Sequence, residues 1–162
     1  MTADRREEER ADLFDLLHRI FHGAWTAASA DFSGLGLVLY QGHHALPHLA
    51  LTASDPPDLD GAFGAERVAE VLSKLASTRS LWHDGFHFVD VAGVRLTHVA
   101  QFISPPISKR LRLGTLVGGA RHMSAALASM IDGVAMVGVL TSKGEISVYL
   151  DGERIQQQEI GP

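Results

Sequence analysis

The sequence contains no cysteine. Disulfides, thiolate zinc sites and cysteine nucleophiles are therefore excluded, and the composition fits a reducing compartment. Long apolar runs are absent as well. The longest uncharged apolar stretch, Gly133 to Leu140, falls far short of the roughly 20 residues that a membrane helix needs. Asp4 to Arg10 is charged throughout, which leaves no apolar signal-peptide core there. Positive charge is not in surplus: 14 Lys and Arg stand against 19 Asp and Glu, a formal net charge of −5. That balance disfavours broad electrostatic attachment to nucleic acid or to an anionic membrane. These absences describe a soluble, cytoplasmic chain with neither nucleic acid nor membrane as a partner.

Common catalytic signatures are missing too. There is no G-x-S-x-G nucleophile elbow and no P-loop. Gly34-Leu35-Gly36 lacks the third glycine of a dinucleotide fingerprint and falls inside a predicted strand. The histidines invite a metal reading: His18 and His22 are one helical turn apart, His43, His44 and His48 cluster, and His83 and His87 are close. No H-E-x-x-H motif accompanies them, so His18 and His22 are expected at the border between the charged and apolar faces of the first helix.

What is present is an ordinary globular composition. With 162 residues, 46% of them apolar, the chain suffices for one domain with one sizeable core. Leu13, Leu16, Leu17, Ile20, Phe21 and Ala24 repeat at the spacing of one helix face behind the charged first stretch. Gly34–Tyr40 reads as a buried strand and His48–Thr52 as a second one. Ser54–Gly61, rich in Pro, Asp and Gly, is a loop. Val68, Val71, Leu72 and Leu75 mark a second helix. Phe86–Val91 and Val94–Ile103 read as strands joined by a turn at Ala92-Gly93, and Ser104–Arg110 is a second proline loop. A third helix follows Gly119, with Met123, Ala126, Leu127 and Met130 at helical spacing. Gly133–Leu140 and Glu145–Leu150 are the closing strands. The expected architecture is a single α/β domain with a mixed central β-sheet flanked by helices. Residues 1–29 would form a helix packed on the domain, 30–155 the domain proper and 156–162 a C-terminal tail.

Two short motifs carry the chemistry. Asp84-Gly85-Phe86 places a carboxylate at a strand start, where a loop side chain can face a ligand; Asp-Gly is equally a turn dipeptide. Gly118-Gly119-Ala120-Arg121-His122-Met123-Ser124 opens the third helix. Cations are mildly unfavourable at a helix N-terminus, and leading glycines weaken the start. A phosphate there would offset both costs, taking the Gly119 and Ala120 N–H groups, the Arg121 guanidinium and the Ser124 hydroxyl.

At these residues the chain resembles the diadenylate cyclase domain family, whose members join two ATP molecules into cyclic di-AMP. His83-Asp84-Gly85-Phe86 is similar to the family's H-D-G-A signature, and Gly119–Ala126 to its G-T-R-H-R-x-A-A helix start. Gly34–Tyr40, Met130–Met136 and Gly144–Ser147 match further segments in order, so the resemblance spans roughly residues 30 to 152. It implies a nucleotide-binding domain with ATP as ligand and Mn²⁺ or Mg²⁺ as metal. Asp84 would hold the metal and help activate the attacking 3′-hydroxyl. Gly85 would permit close backbone approach beside Phe86. Gly119, Ala120, Arg121 and Ser124 would bind phosphates, and His122 would contact phosphate or metal. It also implies a homodimer or higher oligomer, two domains meeting face to face with one ATP each. The chain departs from the family at Phe86, Ala120 and Met123, and Leu140-Thr141-Ser142 stands where the family has S-E-E. The lost cation and lost acids leave three readings open: a divergent cyclase, a catalytically inactive sensor of a nucleotide or cyclic dinucleotide, or an interaction domain that keeps only the dimerisation surface.

Overall fold

The computed structural model describes residues 3–42, 45–105 and 118–161. The chain runs α1 (Ala3–Thr26), β1 (Leu35–Tyr40), β2 (His48–Ala50), α2 (Ala65–Leu75), β3 (Phe86–Asp90), β4 (Arg95–Ile103), α3 (Ala120–Ala128), β5 (Val134–Leu140), β6 (Glu145–Leu150) and β7 (Glu153–Glu159). The strands form one open mixed sheet in the order β2-β4-β3-β1-β5-β6-β7. Only β1 and β3 run parallel, with Leu37 beside His87; the other neighbours are antiparallel. The expected α/β domain is therefore what the described residues adopt.

Strand alternation divides the core. Leu35, Leu37 and Leu39 of β1 face one way and pack with Leu17, Ile20 and Phe21 of α1 and Val68 and Leu72 of α2. Val38 and Tyr40 face the other way and pack with Phe86, Phe88, Val137 and the alanines Ala125, Ala126 and Ala128 of α3. Every residue of β1 is buried, as a central strand covered on both faces must be. Close seating relies on small residues at the crossings. A Cβ on Gly138 would come within 2.7 Å of Leu17 and Phe21 in α1, and one on Gly23 within 2.8 Å of the Ala69 methyl in α2.

The chain's end differs from the expected tail. Glu153–Glu159 pairs with β6, so residues 156–159 belong to the sheet. Its sequence, Glu-Arg-Ile-Gln-Gln-Gln-Glu, lacks the apolar alternation that marks a strand. It is held instead by the two-residue turn Asp151-Gly152, both with positive φ (50° and 84°), which suits a tight hairpin. His18 supplies a second tie. Its Nε2 lies 2.8 Å from Gln156 Oε1, and its Nδ1 accepts from Gln158 Nε2 at 3.1 Å. Strand β2 is shorter than expected, three exposed residues at the sheet edge. His43, His44 and the proline loop from Pro106 onward lie outside the described residues.

His87 of β3 is fully enclosed. Its Nδ1 accepts the Ala100 N–H at 3.3 Å where β4 bulges, with Ala100 at φ 52°. Burial, with the nearby Arg121 charge adding to it, lowers the imidazole pKa to about 3 from an ordinary 6.5.

Two outcomes follow. Gly138→Val forces two branches into the α1 contact and is expected to cost about 1–3 kcal/mol, read as a lower urea midpoint. Between pH 6.5 and about 3 the unfolded chain takes up a proton that folded His87 refuses. Stability is thus retained above 6.5 and lost as pH falls, by up to about 1.4 kcal/mol per pH unit. His87→Asn keeps an acceptor for Ala100 without titrating in this range. Urea titrations at several pH values are expected to show a shallower acid limb for that variant, and an unchanged limb would remove His87 from the account.

Candidate functional site

The parallel pair brings the starts of β1 and β3 to the same end of the sheet, and each start is preceded by a glycine. Gly85 has φ 77°, and a Cβ there would sit 2.6 Å from the Gln101 carbonyl oxygen. Only glycine fits without displacing backbone. The Gly85 N–H donates to Asp84 Oδ1 at 2.8 Å, which holds the carboxylate at the mouth of β3 with 73% of its side chain exposed. Gly34 has φ 92°, and its missing Cβ leaves room for the Arg121 guanidinium, whose Nη1 would otherwise lie 3.2 Å away.

Arg121 reaches this end from the first turn of α3. Its Nη2 lies 3.3 Å from Asp84 Oδ1, and its side chain is 27% exposed. The two motifs singled out in the sequence therefore meet. Gly119 is the extended N-cap residue of α3 and makes no side-chain cap bond, and no acid occupies the helix's first turn. Gly119 and Ala120 are exposed at the helix start, and Ser124 is half-buried a turn further on. Phe86 is not presented with them. Its ring packs in the core against Gly36, where a Cβ would meet it at 2.7 Å.

His122 turns to a second group of residues. Its Nδ1 lies 2.7 Å from the Tyr149 hydroxyl, and its ring covers Gly118. Burial, then the charges of Arg154 and Arg121, hold the imidazole below its ordinary pKa, with Glu145 opposing. Tyr149 is buried and its hydroxyl pKa raised chiefly by that burial, while Ser147 and Arg154 bond to it. Together Gly118, His122, Thr141, Glu145, Ser147 and Arg154 line most of a cleft of about 340 Å³. The motifs do not reveal this group. A usable signal was the alternation Glu145-Ile-Ser-Val-Tyr149, which turns Glu145, Ser147 and Tyr149 to the α3 face while Ile146 and Val148 enter the opposite core.

Asp84 can supply a single carboxylate to a divalent ion. Among the described residues no group of three His, Cys, Asp or Glu surrounds a point in space. Such an ion would be completed by phosphate oxygens and water, the habit of Mg²⁺ at nucleotide sites. The contacts join Asp84 to Arg121 and His122 to Tyr149. No protein-family model and no curated protein matches this chain. Among the described residues, no helix is long and apolar enough to cross a membrane.

Proposed function

We propose that this chain is a nucleotide-binding domain of the diadenylate cyclase type. The observation that carries the reading is the pairing of Asp84 with Arg121 at 3.3 Å, at the shared open end of β1 and β3 beside an uncapped helix start. Arg121 and the N–H groups at Gly119 and Ala120 take the nucleotide's phosphates, as a cation and a helix N-terminus do together. Arg121 then exchanges an exposed carboxylate for phosphate oxygens, and Asp84 is released towards a divalent ion or a ribose hydroxyl. His122, held by Tyr149, marks the boundary with the neighbouring polar cleft.

A second reading, metal-dependent condensation of two ATP into cyclic di-AMP, is favoured by the exposure of Asp84. It needs a second copy, because one chain has one such site. Leu51 lies against Gly85, and with Leu49 and Phe102 it leaves exposed apolar surface beside the site for that copy to cover. Met123 and Leu140-Thr141-Ser142 count against turnover, since Met offers no phosphate donor and the loop offers no acid.

Calorimetric titration of ATP, with and without Mn²⁺, is expected to show saturable binding. Arg121→Ala should weaken it roughly tenfold to a hundredfold, the worth of a charge-assisted hydrogen bond. Unchanged affinity in that variant, or no ATP binding at all, would overturn the proposal. Mass analysis of the products separates the readings. Cyclic di-AMP made by the native chain and lost in Asp84→Asn establishes the cyclase, and binding without product establishes the sensor.

A further inference from the structure

At the edge of the sheet, β2 and β4 bring together two histidines that are far apart in sequence. We propose that His48 of β2 and His98 of β4 form a binding site for a borderline divalent transition-metal ion, Zn²⁺ or Cu²⁺. The two rings stand 4.7 Å apart, centre to centre, at 70°, and both pack on Phe88 at the α3 side of the sheet.

The hydrogen bonds occupy one nitrogen of each ring. Gln101 Nε2 donates to the Val99 carbonyl at 2.8 Å, so its Oε1 faces His48 Nδ1, also at 2.8 Å. His48 therefore carries its proton on Nδ1. Thr97 Oγ1 lies 2.9 Å from His98 Nδ1, 2.8 Å from Tyr40 OH and 3.2 Å from the Phe88 carbonyl oxygen, so His98 Nδ1 is engaged by a hydroxyl that is itself held in place. Each ring thus has its Nδ1 engaged, and among the described residues neither Nε2 carries a hydrogen bond. An Nδ1–H held by a fixed acceptor, with Nε2 left as the ligand, is the outer-shell arrangement of metal-binding histidines.

The spacing agrees. Two imidazoles sharing one tetrahedral ion at about 2.0–2.1 Å from each nitrogen have ring centres about 5 Å apart. No third His, Cys, Asp or Glu joins the pair among the described residues, so water or an exchangeable ligand completes the coordination. A nitrogen-only pair selects Cu²⁺ and Zn²⁺ over the oxygen-seeking Mg²⁺, Ca²⁺ and Mn²⁺. His18 shows the contrast. Both its nitrogens are spent on Gln156 and Gln158, so the helical pair His18 and His22 lacks a free ligand at its first member.

The test is titration of the untagged full chain with Zn²⁺ by calorimetry and with Cu²⁺ by electron paramagnetic resonance. One saturable equivalent is expected, with two imidazole nitrogens coupled to the copper. His98→Ala, or His48→Ala at the exposed strand edge should the first fail to fold, is expected to weaken binding at least about tenfold. Gln101→Leu, which removes the support of His48 together with the bond to the Val99 carbonyl but leaves both rings in place, should weaken it by roughly tenfold to a hundredfold. His18→Ala should leave it unchanged. The proposal is overturned by absence of saturable binding or by full affinity in His48→Ala. Loss of binding in a His43→Ala/His44→Ala variant while His98→Ala binds normally would overturn it equally.

Discussion

The burial of β1 on both faces is the constraint from which the rest of the structure follows. Six consecutive residues with no exposed member require cover above and below, and the chain supplies it with α1 and α2 on one side and α3 on the other. The parallel partner β3 requires a crossover, which α2 provides. Parallel strands begin at the same end, so Gly34 and Asp84-Gly85 become neighbours of one open edge. Antiparallel β5 ends there as well, with Leu140 opposite Leu35. Three sequence-distant segments thus converge because one strand is wholly buried.

The two faces are not covered equally. Helix α1, with 24 residues, extends about 36 Å, whereas α3 has nine and extends about 14 Å. Seven strands at about 4.8 Å spacing span roughly 29 Å. Among the described residues, this short helix faced with alanine lies close to β5, β1 and β6 and does not reach the flanks of its own face. On one flank polar side chains of β6 and β7 line the cleft beside His122. On the other stand His48 and His98, resting on Phe88. The polar groups of this face are thus concentrated where the helix does not reach.

The sequence made much of this legible, for identifiable reasons. Continuous apolar runs marked β1 and β5, and helical spacing marked α1 and α2, because burial leaves periodic traces in composition. Asp84 and Arg121 were set in one site by the resemblance, and their contact follows from the parallel pairing of β1 and β3 and the placement of α3. Strand β7 was not legible, since it is anchored by a turn and by glutamine side chains rather than by apolar alternation. Its Asp151-Gly152 turn was nonetheless visible as a hairpin dipeptide. Phe86 was read as a neighbour of the ligand. In the structure it fills the space above Gly36, a large-to-small complement between adjacent strands that no local spacing encodes.

The histidines show why spacing alone misleads. His18 and His22 stand one turn apart, yet their rings are 6.1 Å apart and the first is consumed by two glutamines. His48 and His98 are fifty positions apart and the register sets His48 opposite Ile103, yet their rings lie closer than those of the helical pair. His87 differs again. Enclosed in the core with one nitrogen on a backbone N–H, it is denied its proton, and its Nε2 has no partner among the described residues. The side chain is the same in each case. What separates a strut, a ligand and a buried neutral base is the partner of each ring nitrogen and the access of water to the ring. Those are properties of the assembled sheet, and they emerge only when strands distant in sequence are set side by side.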